Sequence, residues 1–305
     1  MYFHLEGEDE FLPEDIPKGL CTHILYAVAK VDESTRSYDI RMNQNEILSR
    51  WNQNKTSERN DGNTDWPKEM YSFVTKMKES DPELKILLSF GGYNFGSTTF
   101  ILCKFEDTKY FKAIAKSAEK RKNFIECAIA LLRQNKFDGF DLDWQYPIGV
   151  AEEYAELVKE MKKAFVEEAK KFGSEQLLLT ATVSAIKHTI DQSYNVGSLG
   201  INFDLLFLMS YDFHSSWEDN VDLHAKLCPT EGEPSGIDIF NTEFAANYWV
   251  SKGMPKQKII IGIPTYGRGW TLRNPSETTI GAEGIGPSLP STTNQAGGTA
   301  AYWEV

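Results

Sequence analysis

Cysteine is scarce in this chain and unpatterned: Cys21, Cys103, Cys127 and Cys228 form no C-x-x-C pair and no metal-ligand spacing. Cys127 falls on the apolar stripe of a helix and reads as an inert core thiol. Histidine is equally thin. The 5 histidines show no pairing with a Ser or Cys nucleophile and no metal spacing, so His23, His188 and His224 are read as structural, and neither a metal nor a cofactor is expected. Basic residues are outnumbered, 32 Lys and Arg against 44 Asp and Glu for a net charge of -12, which argues against phosphate-backbone binding and hence against a nucleic-acid partner. No apolar run approaches the ~18 residues that cross a bilayer, so no membrane span is expected. No charged n-region followed by an apolar h-region precedes the first strand.

With 305 residues the chain can bury a large core, and that length suits one α/β barrel as well as two ordinary domains. Apolar strand-like runs recur at 22–31, 84–90, 137–144, 177–184, 203–211 and 258–266, separated by segments of helical periodicity. Alternation of that kind predicts a parallel sheet with helices outside it. One predicted helix carries Tyr154, Leu157, Val158, Met161, Phe165 and Ala169 on a single stripe and ends at Gly173. Another carries Phe124, Cys127, Ala128, Leu131 and Leu132 in the same spacing. Both stripes are read as core faces. The stretch 43–60 is polar and longer than a connecting loop needs, and Asn54-Lys55-Thr56 within it is a weak glycosylation acceptor.

Residues 138–147 read Asp-Gly-Phe-Asp-Leu-Asp-Trp-Gln-Tyr-Pro. Alternating Phe140, Leu142 and Trp144 mark a strand, which turns Asp141, Asp143 and Gln145 to its other face at roughly 7 Å intervals. Inward carboxylates cost several kcal/mol each unless paired or used, so a purely structural origin is disfavoured. This decapeptide resembles the active-site signature of glycoside hydrolase family 18, the chitinases and their relatives, in which Asp-x-x-Asp-x-Asp-x-Glu precedes Tyr-Pro. Asp138, Asp141 and Asp143 match the three aspartates, and Trp144, Tyr146 and Pro147 match as well. The family's proton-donating glutamate is replaced here by Gln145.

The resemblance implies a TIM (β/α)8 barrel, incomplete in this chain: a shortened first strand at 2–5, no eighth strand, and the start of an α+β insertion domain. The implied boundaries are 1–272 for the barrel and 273–305 for the beginning of the insertion. The sequence therefore reads as a fragment or an incomplete gene model, and the segment 101–110 as a further irregularity. Relatives tie the equivalent of Cys21 to a cysteine in the first strand, and no such partner is found here. Barrel chemistry sits at the C-terminal ends of strands, where Gly91-Gly92, Gln145-Tyr146 and Tyr211-Asp212 fall.

In the resembled family the substrate's own 2-acetamido oxygen attacks the anomeric carbon while the glutamate protonates the leaving oxygen. The resemblance implies that Asp143 holds the acetamido N–H and shares a proton with Asp141, and that Asp138 is scaffold. Met209-Ser210-Tyr211-Asp212-Phe213-His214 matches a second motif, with Tyr211 bonding the acetamido oxygen and Met209, Ser210 and Asp212 lining the sugar site. Tyr266-Gly267-Arg268-Gly269-Trp270 matches a third, through which Arg268 and Trp270 would meet sugars. Gly91, Gly92, Tyr93, Asn94, Trp144 and Tyr146 complete the expected binding residues, and Tyr2, Tyr146, Tyr93 and Trp217 are the candidate stacking platforms, with core or rim packing as the alternative for each. Tyr93 stands where relatives usually have tryptophan, and Val28 where they have phenylalanine.

The expected function is a chitinase-like protein that binds chitin or chito-oligosaccharides with little or no hydrolysis, acting as an extracellular monomer. The acidic balance fits a neutral glycan. A working chitinase using another acid is one alternative, although no motif places such an acid, and a non-binding remnant is the other.

Overall fold

The computed structural model describes residues 13–31, 40–42, 66–92, 108–230, 233–292 and 297–304. The expected first strand, Tyr2, Tyr93, Asn94, Cys103 and the 43–60 stretch lie outside them. Two compact units are present, one made of 1–181 with 202–204 and the other of 182–201 with 205–305.

In the first unit the strands β1 (His23–Val31), β3 (Lys85–Gly91), β4 (Gly139–Asp143) and the start of β5 (Leu178–Ser184) pair in parallel, as the apolar runs predict. A short β2 (Ile40–Met42), which the sequence did not suggest, runs antiparallel to β1. The helix expected after the signature spans Ala151–Phe172 and buries Tyr154, Leu157, Val158, Met161, Phe165 and Ala169. Glu152 and Glu153 in its first turn and Lys170 and Lys171 in its last complement the helix dipole. Gly173 ends it in the left-handed region at φ 64°, where a side chain is disfavoured. The preceding helix, Ala118–Gln134, buries Phe124, Ile125, Ala128 and Leu132. Its stripe keeps Phe124, Ala128 and Leu132 of the expected one but is turned toward Ile125, which goes inward, while Cys127 is only partly covered. Arg121 grips Glu160 and Arg133 grips Glu168 through two N–H bonds each, fastening these helices together.

Phe90 of β3 centres the core between sheet and helices. Its ring meets Phe111 at 5.0 Å, Phe124 at 5.2 Å and Phe140 at 5.6 Å, and none of the four side chains is more than 1 % exposed. Phe90→Ala would leave a cavity that three rigid rings cannot fill, and an unfolding loss of about 3–5 kcal/mol is expected in chemical denaturation.

In the second unit β6 (Leu205–Met209) and β7 (Ile259–Ile261) pair in parallel. The single run expected over 258–266 is broken. Gly262 lies where a Cβ would come 2.5 Å from the Leu208 carbonyl oxygen, and Pro264 has no N–H to give to a ladder. After the break β8 (Tyr266–Arg268) takes a new partner, β11 (Thr299–Ala301), while β9 (Trp270–Leu272) pairs with β10 (Gly284–Pro287). Helix Thr242–Ser251 is capped by Asn241, whose side-chain oxygen accepts the Phe244 N–H at 2.8 Å. Its Trp249 is fully buried and donates to the Ser184 carbonyl at 3.0 Å.

Candidate sugar-binding site

Register builds the first constellation. Parallel pairing sets Ser89 of β3 and Thr180 of β5 on either side of Asp141 of β4. Neighbouring strands lie about 4.8 Å apart, so side chains at matched positions meet. Ser89 Oγ donates to Asp141 Oδ2 and Thr180 Oγ1 to Asp141 Oδ1, both at 2.8 Å, and Asp141 is fully buried. Two hydroxyl donors compensate the carboxylate for the water it has lost. Sequence reasoning missed both hydroxyls. Their one signal was a hydroxyl residue inside each strand, and in β5 Thr182 and Ser184 carry the same signal.

Asp143, two residues on, is treated differently. Burial, reinforced by the charge of Asp141 and opposed by a hydrogen bond from Gln145, pushes its carboxyl up to about 7. Gln145 Nε2 donates to Asp143 Oδ1 at 2.9 Å. Hydroxyl donors serve Asp141, and Asp143 retains a proton to near neutrality. Gly91 and Gly92 act on the backbone here. Gly91, at φ 120°, brings β3 so near that a Cβ would run into the Asp143 carbonyl, and the Gly92 N–H donates to that carbonyl at 2.8 Å. Tyr146 is partly exposed beside Gln145.

Two expected members take other roles. Trp144 is 2 % exposed and stacks on Phe111 at 4.6 Å with Tyr154 edge-on at 5.6 Å, so its indole is core packing, not a sugar contact. Strand alternation sends it there with Phe140 and Leu142. Asp138 is tied to Lys78 Nζ at 2.8 Å and to the Ile86 N–H at 2.7 Å. It lies just before β4, five residues of strand from Asp143 and so roughly 16 Å away.

The second constellation follows β6. Ser210, 1 % exposed, gives its hydroxyl to the Gly262 carbonyl at 2.9 Å and so fastens the strand end instead of facing a ligand. Met209 and Tyr211 are partly exposed, and the Tyr211 ring meets Tyr266 edge-on at 6.2 Å. Asp212 sits at φ 59°, a left-handed conformation that short polar side chains tolerate. Arg268 grips it through Nη2 at 2.7 Å and Nε at 2.9 Å, the Tyr266 hydroxyl donates at 2.7 Å, and His224 Nδ1 stands 3.5 Å away. Burial works against the charge, but these partners outweigh it and hold the Asp212 carboxyl well below the usual carboxylate range. The His224 contact is the longest of the four. His224, read from sequence as structural, thus belongs to the Asp212 cluster.

Arg268 also spans the rings of Trp217 at 5.5 Å and Tyr266 at 5.4 Å, and Trp217 is 61 % exposed, as a stacking platform requires. Trp270 turns its N–H to the Glu218 carbonyl at 3.1 Å. His214, Asp222 and Glu233 bring one potential metal ligand each within 4.8 Å of one another. The Lys226 ammonium already stands there, 2.8 Å from Asp222 and 2.7 Å from Glu233, and serves as the cation.

The family model for glycosyl hydrolases family 18 matches residues 1–305. The chain belongs to glycoside hydrolase family 18. Its fold is accordingly of the TIM-barrel type, with parallel strands and flanking helices in the order the sequence predicted. It is 63 % identical over 300 residues to an endochitinase of Brugia malayi, covering 98 % of this chain and 54 % of that protein, so it spans about half that relative's length. Among solved structures it is similar to TsES1, described as an immunomodulatory active chitinase of Trichuris suis, with a TM-score of 0.81, 37 % identity, and 98 % of this chain and 72 % of that one covered. It is also similar to human YKL-39, described as a pseudo-chitinase with retained chitooligosaccharide binding, with a TM-score of 0.79, 33 % identity, and 96 % and 72 % of the two chains covered. No helix among the described residues is long and apolar enough to cross a membrane.

Proposed function

We propose that this chitinase-family protein binds chitin or chito-oligosaccharides with little or no hydrolysis. One observation carries the reading: Gln145 stands at the position of the family's acid, with its amide N–H given to Asp143 Oδ1 at 2.9 Å. A carboxamide has nearly the shape of a protonated carboxyl group and donates a hydrogen bond, but it yields no proton at accessible pH. General acid catalysis contributes typically about 10²–10⁴-fold, and expelling a sugar alkoxide demands the upper part of that range.

Binding depends on groups that remain. In the first unit Asp143, with Tyr146 close by in the chain, is the group proposed to receive an acetamido N–H; in the second, Tyr211 is proposed to bond an acetamido oxygen, with Met209 and the Asp212–Arg268 pair as further sugar contacts. Trp217 offers a face to a pyranose ring. Gln145 removes one negative charge beside Asp141 and Asp143, and this favours a neutral ligand. We further propose that 1–272 act as the barrel, that 273–305 begin an inserted domain, and that the protein works outside the cell as a monomer.

A second reading, a working chitinase, is favoured by the 63 % identity to an endochitinase, but it requires an acid at the leaving oxygen, and the residue at the family's acid position is Gln145. Chitin-bead retention and release of a chromogenic chito-oligosaccharide distinguish the two. Retention without release is the expected result. Release at ordinary chitinase speed overturns it in favour of the enzyme, and neither retention nor release points to a non-binding remnant.

A further inference from the structure

We propose that His214 is a positioning residue for carbohydrate binding: by bonding Glu218 it closes the turn that presents Trp217. The inference rests on the sugar-binding reading above and assigns to that site a buried residue outside its surface.

An indole that is 61 % exposed has no core to set its pose. The backbone beneath Trp217 must therefore do so. The Glu218 N–H donates to the Ser215 carbonyl at 2.9 Å, which makes 215–218 a tight turn with Trp217 at its third position. From the inside His214, 3 % exposed, joins Nδ1 to Glu218 Oε2 at 2.9 Å. Glu218 is a carboxylate acceptor, so Nδ1 carries the hydrogen. Glu218 is held again through its carbonyl by the Trp270 indole N–H at 3.1 Å. The residue after the platform is thus gripped at side chain and backbone, and Arg268 covers the platform's own ring at 5.5 Å.

His214 is itself anchored. Phe240 packs against its ring at 5.9 Å, and Nε2 lies 3.6 Å from Asp222 Oδ2, whose carboxylate is bonded to buried Lys226. At 3.6 Å Nε2 has no hydrogen-bond partner, and a buried ring nitrogen left in that condition costs stability. An apolar ring would fill the same space without that cost. A duty at Nδ1 accounts for the histidine. Fixing a side chain before the ligand arrives spares the ordering cost that binding would otherwise meet, roughly two- to tenfold in affinity for each immobilised side chain.

The test uses affinity for a chito-oligosaccharide series, measured by calorimetry on the whole protein, together with the Trp217 indole N–H resonance of the free protein. Trp217→Ala should weaken binding of the longer oligosaccharides by on the order of tenfold. His214→Leu should weaken it about fivefold, and the double variant should bind no worse than Trp217→Ala, because the histidine acts only through the tryptophan. His214→Asn, whose amide N–H reproduces Nδ1–H, should restore most of the affinity. Should His214→Leu fail to fold, Glu218→Ala breaks the same bond from a side chain that is 39 % exposed and should give the same loss. In either variant the Trp217 resonance should broaden or shift. Losses that multiply in the double variant, or an unmoved Trp217 resonance in Glu218→Ala, overturn the role of His214. Failure of the parent protein to bind any oligosaccharide overturns the sugar-binding reading instead, and the resonance still decides the positioning role.

Discussion

Gln145→Glu should turn this protein into one that cleaves β-1,4-linked N-acetylglucosamine, with a rate gain of at least about 10²–10⁴-fold over the parent. The surroundings of position 145 are suited to a general acid. A glutamate there would face Asp143 Oδ1 across the 2.9 Å now bridged by the amide, and Asp143 already holds its proton to about 7. Two carboxyl groups that close do not both ionise, so one proton stays between them at neutral pH, and a proton retained at that place is the one the leaving oxygen requires. Release of chromogenic product is the measurement. If the variant is retained on chitin yet cleaves no faster than the parent, the missing acid is not what silences this cleft, and the proposed reading of Gln145 is wrong.

Asp143→Asn should stabilise the protein at neutral and alkaline pH and leave it nearly unchanged in acid. Burial first, then the charge of Asp141, raise the Asp143 carboxyl from 3.8 to about 7, with the Gln145 hydrogen bond opposing. The folded state therefore holds this proton more tightly than the unfolded chain. Stability from the protonated form is complete below the unfolded value near 3.8 and is lost as pH rises to about 7. Asparagine keeps the same shape and has no proton to lose. A shift of about three units corresponds to a ceiling on the order of 4 kcal/mol above neutrality. Thermal melts of parent and variant should diverge from pH 4 upward and run parallel above pH ~7–8. A constant gap across that range, or one that closes with rising pH, would contradict the assignment.

Much of this was legible in the chain because two periodicities are local. A strand buried on both faces reads as an apolar run, so β1, β3, β4, β5 and β6 were placed within a few residues, and the stripe from Tyr154 to Ala169 with Gly173 behind it delimited its helix. What failed was whatever depended on a partner elsewhere. The exchange of partners after β7 depends on 299–301, distant along the chain, with which β8 pairs, and Pro264 is its one local sign. Trp144 belongs to a motif that suggests a sugar contact, but its place among Phe111 and Tyr154 follows from the alternation that also marks the strand.

The sequence by itself determined the family, the order of the strands, the row of Asp141, Asp143 and Gln145, and the absence of a carboxylic acid at position 145, since each is a matter of residue type and short spacing. Tertiary structure decided how those residues behave. Register put Ser89 and Thr180 against Asp141, burial raised the Asp143 carboxyl, and chain return put Arg268, Tyr266 and His224 around Asp212. A carboxyl group's charge depends on the donors and the burial around it, and those come from strands that are distant along the chain.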